Sequence, residues 1–103
     1  MGTLHYGNPS FNVHFDDRAL AHIQVVITAK LRRSESFVFS WSAPQDKGSG
    51  RAAIWLDPSS TLFFEYQGSR EPAINRAWIE ALSATANRPT GLVLLAEPPQ
   101  PHS

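Results

Sequence analysis

Cysteine is absent from this chain. That excludes disulfide staples, thiolate zinc sites and cysteine nucleophiles, and it leaves hydrophobic burial as the means of holding the fold. Neither sign of charge is in excess: lysine plus arginine and aspartate plus glutamate number nine each. A protein built for non-specific nucleic-acid binding carries a basic surplus, because phosphate neutralisation drives that binding. Here any such contact would need a local patch. Long apolar runs are missing too. No stretch approaches the roughly 20 residues of a membrane helix, and Met1-Gly2-Thr3-Leu4-His5-Tyr6 has neither the basic nor the apolar region of a signal peptide. A soluble, cytoplasmic protein with no membrane partner is expected.

What is present suits one domain: 103 residues, enough to bury roughly two-thirds of the unfolded surface. Leu4 and Tyr6 alternate with polar residues, as do Phe11, Val13 and Phe15, with the turn formers Gly7-Asn8-Pro9-Ser10 between them. That is a hairpin pattern. A four-residue turn pairs Tyr6 with Phe11 and Leu4 with Val13, and puts the apolar residues on one face. Asp16 and Asp17 open a helix by capping and by dipole complementarity. Leu20, Ile23, Ile27 and Leu31 form its buried stripe, and His22 falls on its polar side. Ser36–Ser42, Arg51–Leu56 and Thr61–Tyr66 read as strands, the last two paired across Asp57-Pro58-Ser59-Ser60 with Trp55 facing the core and Ile54 and Phe63 on the other face. Gly68–Pro72 begins a second helix, whose buried stripe is Ile74, Trp78, Ala81 and Leu82. Gly91–Ala96 is a final strand. The expected fold class is α+β, in the order ββαβββαβ: a mixed or antiparallel sheet of about six strands with two helices on one face. Residues 1–96 form the single domain, and 97–103 a disordered proline-rich tail.

Chemistry-bearing residues are scattered. His5 and His14 lie diagonally on the polar face of the hairpin, without a third ligand at a metal-site spacing. Ser49 is flanked by glycines but sits in a loop between strands, not in a strand-to-helix elbow. Lys47 precedes its glycines where a phosphate loop needs it to follow them. Glu65, the acid within a strand, is accounted for by surface exposure. No catalytic residue, metal site or cofactor is expected. Arginine is the strongest polar signal: Arg32 and Arg33 end the first helix, and Arg70 and Arg76 flank the start of the second. They are the candidate nucleic-acid or anion surface. The strands also carry apolar residues on both faces, which makes Val38, Ile54 and Phe63 a candidate interface.

The phrases Phe15-Asp16-Asp17-Arg18-Ala19-Leu20-Ala21-His22, Ala29-Lys30-Leu31-Arg32-Arg33, Phe37-Val38-Phe39-Ser40-Trp41 and Asn75-Arg76-Ala77-Trp78-Ile79-Glu80-Ala81-Leu82 carry a resemblance. The chain resembles a family of small actinobacterial proteins of unknown function, often labelled "ATP-dependent DNA ligase". The resemblance implies an actinobacterial, cytoplasmic protein and carries over no functional residue. The label is at odds with the residues. A ligase attaches AMP to the lysine of a Lys-x-Asp-Gly motif, whereas Lys30 precedes Leu31-Arg32-Arg33 and Lys47 precedes Gly48-Ser49-Gly50.

The reading that follows is a non-enzymatic interaction module, a homodimer or protein binder acting through the second sheet face. The alternative is a nucleic-acid-associated accessory protein of DNA ligase or repair machinery, working through the four arginines.

Overall fold

The computed structural model describes residues 2–7, 11–42 and 51–99. The expected turn at 8–10, the loop at 43–50 with Lys47 and Ser49, and the end of the tail at 100–103 lie outside the described residues. The elements are β1 (Gly2–Tyr6), β2 (Phe11–Phe15), α1 (Asp17–Arg32), β3 (Phe37–Ser42), β4 (Arg51–Leu56), β5 (Leu62–Glu65), α2 (Arg76–Ala86) and β6 (Leu92–Val93). The class is α+β and the order ββαβββαβ, as the sequence implies.

The strands divide into two sheets of three, ordered β2-β1-β5 and β4-β3-β6. In the first, β1 and β2 pair in the expected register, with Leu4 opposite Val13, Tyr6 opposite Phe11 and His5 opposite Asn12. β5 adds antiparallel to the other edge of β1, setting Phe64 against Leu4 and Leu62 against Tyr6. In the second sheet β3 pairs antiparallel with β4 and parallel with β6.

The expected β4–β5 hairpin therefore does not form. β4 has two faces to choose from: Ala52, Ile54 and Leu56 on one, Arg51, Ala53 and Trp55 on the other. The first carries no charge, so it is the face that goes inward. Ile54 lies opposite Phe39, Leu56 is fully buried, and Trp55 is left 53% exposed beside Val38. This reverses the expected placement of Trp55 and Ile54. Between the strands the chain changes sheet. The Asp57 carboxylate accepts from the Ser59 amide and hydroxyl at 2.9 and 2.6 Å, and the Ser60 amide donates to the Asp57 carbonyl at 2.9 Å. The Tyr6 hydroxyl donates to the Trp55 carbonyl at 2.5 Å and the Gly7 amide to the Thr61 carbonyl at 3.0 Å, which ties the hairpin to this crossing.

One core serves both sheets and both helices. Phe15 of the first sheet meets Phe39 and Trp41 of the second, with ring centroids 6.0 and 5.8 Å apart. α1 contributes Leu20, Ile23, Val26 and Ile27, and α2 contributes Trp78 and Leu82. Lys30 is buried as well. Its ammonium reaches Glu35 at 2.5 Å and Asn87 at 3.2 Å, joining the C-terminal ends of the two helices.

α2 starts later than the sequence suggests. Its N-cap is Asn75, whose side chain accepts from the Ala77 amide, and 71–75 is not helical. Pro72 disfavours a helical residue before it, and contacts described below hold this stretch against α1. Ile74 is consequently exposed rather than in the core. β6 is shorter than the expected Gly91–Ala96 and forms an edge of its sheet. After the Leu94 amide donates to the Ser40 carbonyl, the chain leaves the sheet so that the Leu95 carbonyl can accept from the Trp78 indole at 2.9 Å.

Gly91 makes the close approach to β3. Its φ is 84°, and a Cβ there would run into the Val38 carbonyl. Gly91→Ala is expected to destabilise the fold by about 1–2 kcal/mol through backbone conformation alone, and further through the clash. Urea denaturation measures this, and an unchanged midpoint would count against the packing described.

Candidate functional site

α1 uses two faces. Beside its buried stripe runs a second one, Ala21, Gln24, Val25, Thr28, Ala29 and Arg32, at steps of three and four. Opposite lies the chain from Tyr66 to Ile74, which presents Tyr66, Arg70, Glu71, Pro72 and Ile74. The two enclose a groove of about 760 Å3, within the ~300–1,000 Å3 range of ligand pockets. The spacing of the second stripe was present in the sequence. Only the stretch after Tyr66, expected to be helical from Gly68, hid its partner.

Hydrogen bonds pin that stretch to α1 at both ends. At the first, Asp17 accepts from the Gln67 amide at 3.2 Å and the Gly68 amide at 2.9 Å. These bonds, Gly68's above all, hold the Asp17 carboxyl below its usual range. The Tyr66 hydroxyl donates to the Gln24 amide oxygen at 2.5 Å. Burial first, then the negative charges of Asp17 and Glu71, push the Tyr66 phenol up to about 12.

At the second end Arg18 donates to the Ala73 carbonyl at 2.6 Å and, in bidentate fashion, to the Glu97 carboxylate at 2.8 and 2.6 Å. His22, expected on the polar side of the helix, is fully buried. Its Nε2 accepts from the Asn75 amide at 2.8 Å, since a backbone N–H can only donate. Its proton therefore sits on Nδ1, which donates to the Arg18 carbonyl at 2.7 Å. The imidazole lies 4.5 Å from the Trp78 ring. The Asn75 side-chain amide donates to Glu97 and to the Pro98 carbonyl, both at 2.9 Å. Glu97, expected in the proline-rich tail, is thus a central partner of the network. Hydrogen bonds from Arg18, then Asn75, lower its carboxyl to about 2.

The groove itself is less satisfied than its frame. Arg32 and Arg70 have no ion-pair partner among the described residues. Val25 and Ile74 are 43% and 42% exposed. Two guanidiniums without an ion pair among the described residues, lining the same groove as exposed aliphatic surface, can hold an anionic group whose attached body is apolar.

The four candidate arginines do not converge as a set. Arg32 and Arg70 both line the groove, Arg33 pairs with Glu35 at 3.1 Å, and Arg76 begins α2 outside the groove lining. Nor do Val38, Ile54 and Phe63 form one surface. Val38 and Ile54 occupy opposite faces of the second sheet, while Phe63 is in the first sheet, stacked on His5 at 5.0 Å. His5 also contacts Asn12 at 2.7 Å and Glu65 at 2.8 Å, and His14 contacts Thr3 at 3.0 Å. Among the described residues no group of three or more metal-ligating side chains comes together, and no helix is long and apolar enough to cross a membrane.

Compared with known proteins, residues 1–97 match the model of one family, described as a domain of unknown function (DUF7882). No curated protein and no solved structure matches.

The Arg18–Glu97 pair has a testable pH signature. The Glu97 carboxyl titrates at about 2 in the fold against an ordinary 4.5. Its stabilising contribution is therefore complete above about pH 4.5 and is lost as pH falls toward 2. Glu97→Gln should lower the Tm at pH 6, and the gap to wild type should narrow through pH 4 and close near pH 2. Circular dichroism melts at these pH values measure it. A gap independent of pH would mean that the carboxylate charge plays no part.

Proposed function

The chain belongs to the DUF7882 family, and we propose that it is a non-enzymatic interaction module that seats its partner in the groove between α1 and 66–74. The observation that carries this reading is the contrast within one site. The frame has its polar groups paired, with no buried side-chain nitrogen or oxygen left without a partner among the described residues. The groove surface, in contrast, leaves Val25 and Ile74 exposed and Arg32 and Arg70 without an ion pair among the described residues. A rigid frame around an unsatisfied concave surface lowers the ordering cost of binding.

Self-association is a second reading, supported by a different surface. β4 is a sheet edge, and Trp55 projects from it, 53% exposed. An edge strand with an exposed aromatic is a site for pairing with a second copy.

The two readings predict different sensitivities. Random twelve-residue peptides displayed on phage and selected on the full chain should yield binders that lose at least tenfold in affinity on Val25→Glu/Ile74→Glu and are unaffected by Trp55→Glu. Both groove positions are near half exposed, so the charges should leave the fold intact, which circular dichroism checks. Under the second reading, light scattering gives a dimer mass that Trp55→Glu reduces to that of a monomer, with no effect of the groove variant. Binders indifferent to Val25→Glu/Ile74→Glu would sink the groove reading.

A further inference from the structure

We infer that the groove's occupant is a short acidic segment of another protein, with carboxylates set between Arg32 and Arg70 and apolar side chains on Val25 and Ile74. This deepens the groove reading and rests on it. Charge complementarity fixes the sign. The two guanidiniums at the groove have no partner among the described residues, and Glu71 is the acid among the lining residues. An arginine fork matches a carboxylate in two parallel hydrogen bonds. Length fixes the scale. From Ala21 to Arg32 the helix rises by about 16 Å, the span of about five extended residues or three helical turns. That is the scale on which grooves recognise helical segments by spaced apolar anchors.

A second copy of this chain is poorly equipped to be that occupant. Asp16 accepts from the Arg18 amide, Asp17 holds Gln67 and Gly68, Glu35 holds Lys30, Asp57 closes its own turn, Glu65 contacts His5 and Glu97 holds Arg18. Its described carboxylates are largely committed to its own fold. Nucleic acid is disfavoured by the groove's surface. Strand-tracking sites combine many cations with flat aromatic platforms, whereas this groove offers two arginines beside an acid, Glu71, among small aliphatic and neutral polar side chains, and its aromatic residue, Tyr66, is tied to Gln24.

The test extends the same phage selection to charge variants of this chain. Wild type should enrich peptides in which Asp or Glu flanks apolar residues. Arg32→Ala/Arg70→Ala should weaken a selected peptide at least tenfold, the scale of one charge-assisted contact. Arg32→Glu/Arg70→Glu should enrich lysine- and arginine-bearing peptides, a gain that an unfolded variant could not produce. Groove-dependent peptides without an acidic bias would overturn this inference and leave the groove reading standing. A complete lack of groove-dependent peptides would overturn both. Two further results would replace the acidic segment with another occupant. One is a labelled single-stranded DNA oligonucleotide that binds more tightly than any peptide, through Arg32 and Arg70 and with a steep salt dependence. The other is a dimer mass that Val25→Glu/Ile74→Glu abolishes.

Discussion

The imidazole of His22 bridges two backbones, and much of the architecture follows from that bridge. One nitrogen serves the Arg18 carbonyl of α1 and the other the Asn75 amide, with the ring buried against Trp78. A buried backbone group without a partner costs about as much as a lost hydrogen bond, so Asn75 must lie where His22 can reach its N–H. Placing Asn75 sets the first turn of α2, because Asn75 is its cap. It also sets the end of the 66–74 stretch, and through that the width of the groove. Arg18 and Glu97 close the arrangement from the solvent side, where a bidentate pair holds Ala73 and the C-terminal segment together.

Electrostatics in this chain work by allocation. Net charge is zero, yet the described carboxylates are largely engaged with backbone amides, Lys30, Arg18 and other groups of the same fold, while Arg32 and Arg70, which both line the groove, have no ion-pair partner among the described residues. A neutral total therefore coexists with a locally cationic groove. Exposed ion pairs by themselves add little stability. The Asp17 and Glu97 contacts matter instead for position: each fixes one end of an irregular stretch that has neither helix nor sheet hydrogen bonds to hold it.

Local patterns in the sequence carried the elements that depend on neighbours in the chain. The β1–β2 register followed from alternation about one turn, and α1 from Asp16 and the Leu20, Ile23, Ile27 spacing. Features decided at long range were not legible in that way. Pairing across 57–60 would put Trp55 on the core face with Leu62, but Arg51 shares the Trp55 face, and the chain buries the uncharged face of β4 instead. β5 alternates well enough to pair with either neighbour, and only the free edge of β1 decides between them. His22 looked like a surface residue because its partners, Asn75 and Trp78, lie more than fifty positions away. Glu97 looked like tail because its proline-rich surroundings conceal a partner at position 18. Of the candidate site, Arg32 and Arg70 are visible as cations, but their shared place on the groove lining depends on the non-helical course of 66–74.

That course also gives the proposed binding surface its second wall. The outer faces of the sheets carry exposed aromatics, Phe63 stacked on His5 and Trp55 beside Val38. Isolated exposed apolar residues are ordinary on protein surfaces. The groove has two walls from different elements, each braced by its own hydrogen bonds, so an incoming segment meets side chains whose backbones are already held. Binding then loses freedom chiefly in the ligand and in the Arg32 and Arg70 side chains. The same bracing that keeps an irregular stretch from collapsing onto α1 is what leaves Val25 and Ile74 exposed at the proposed docking surface.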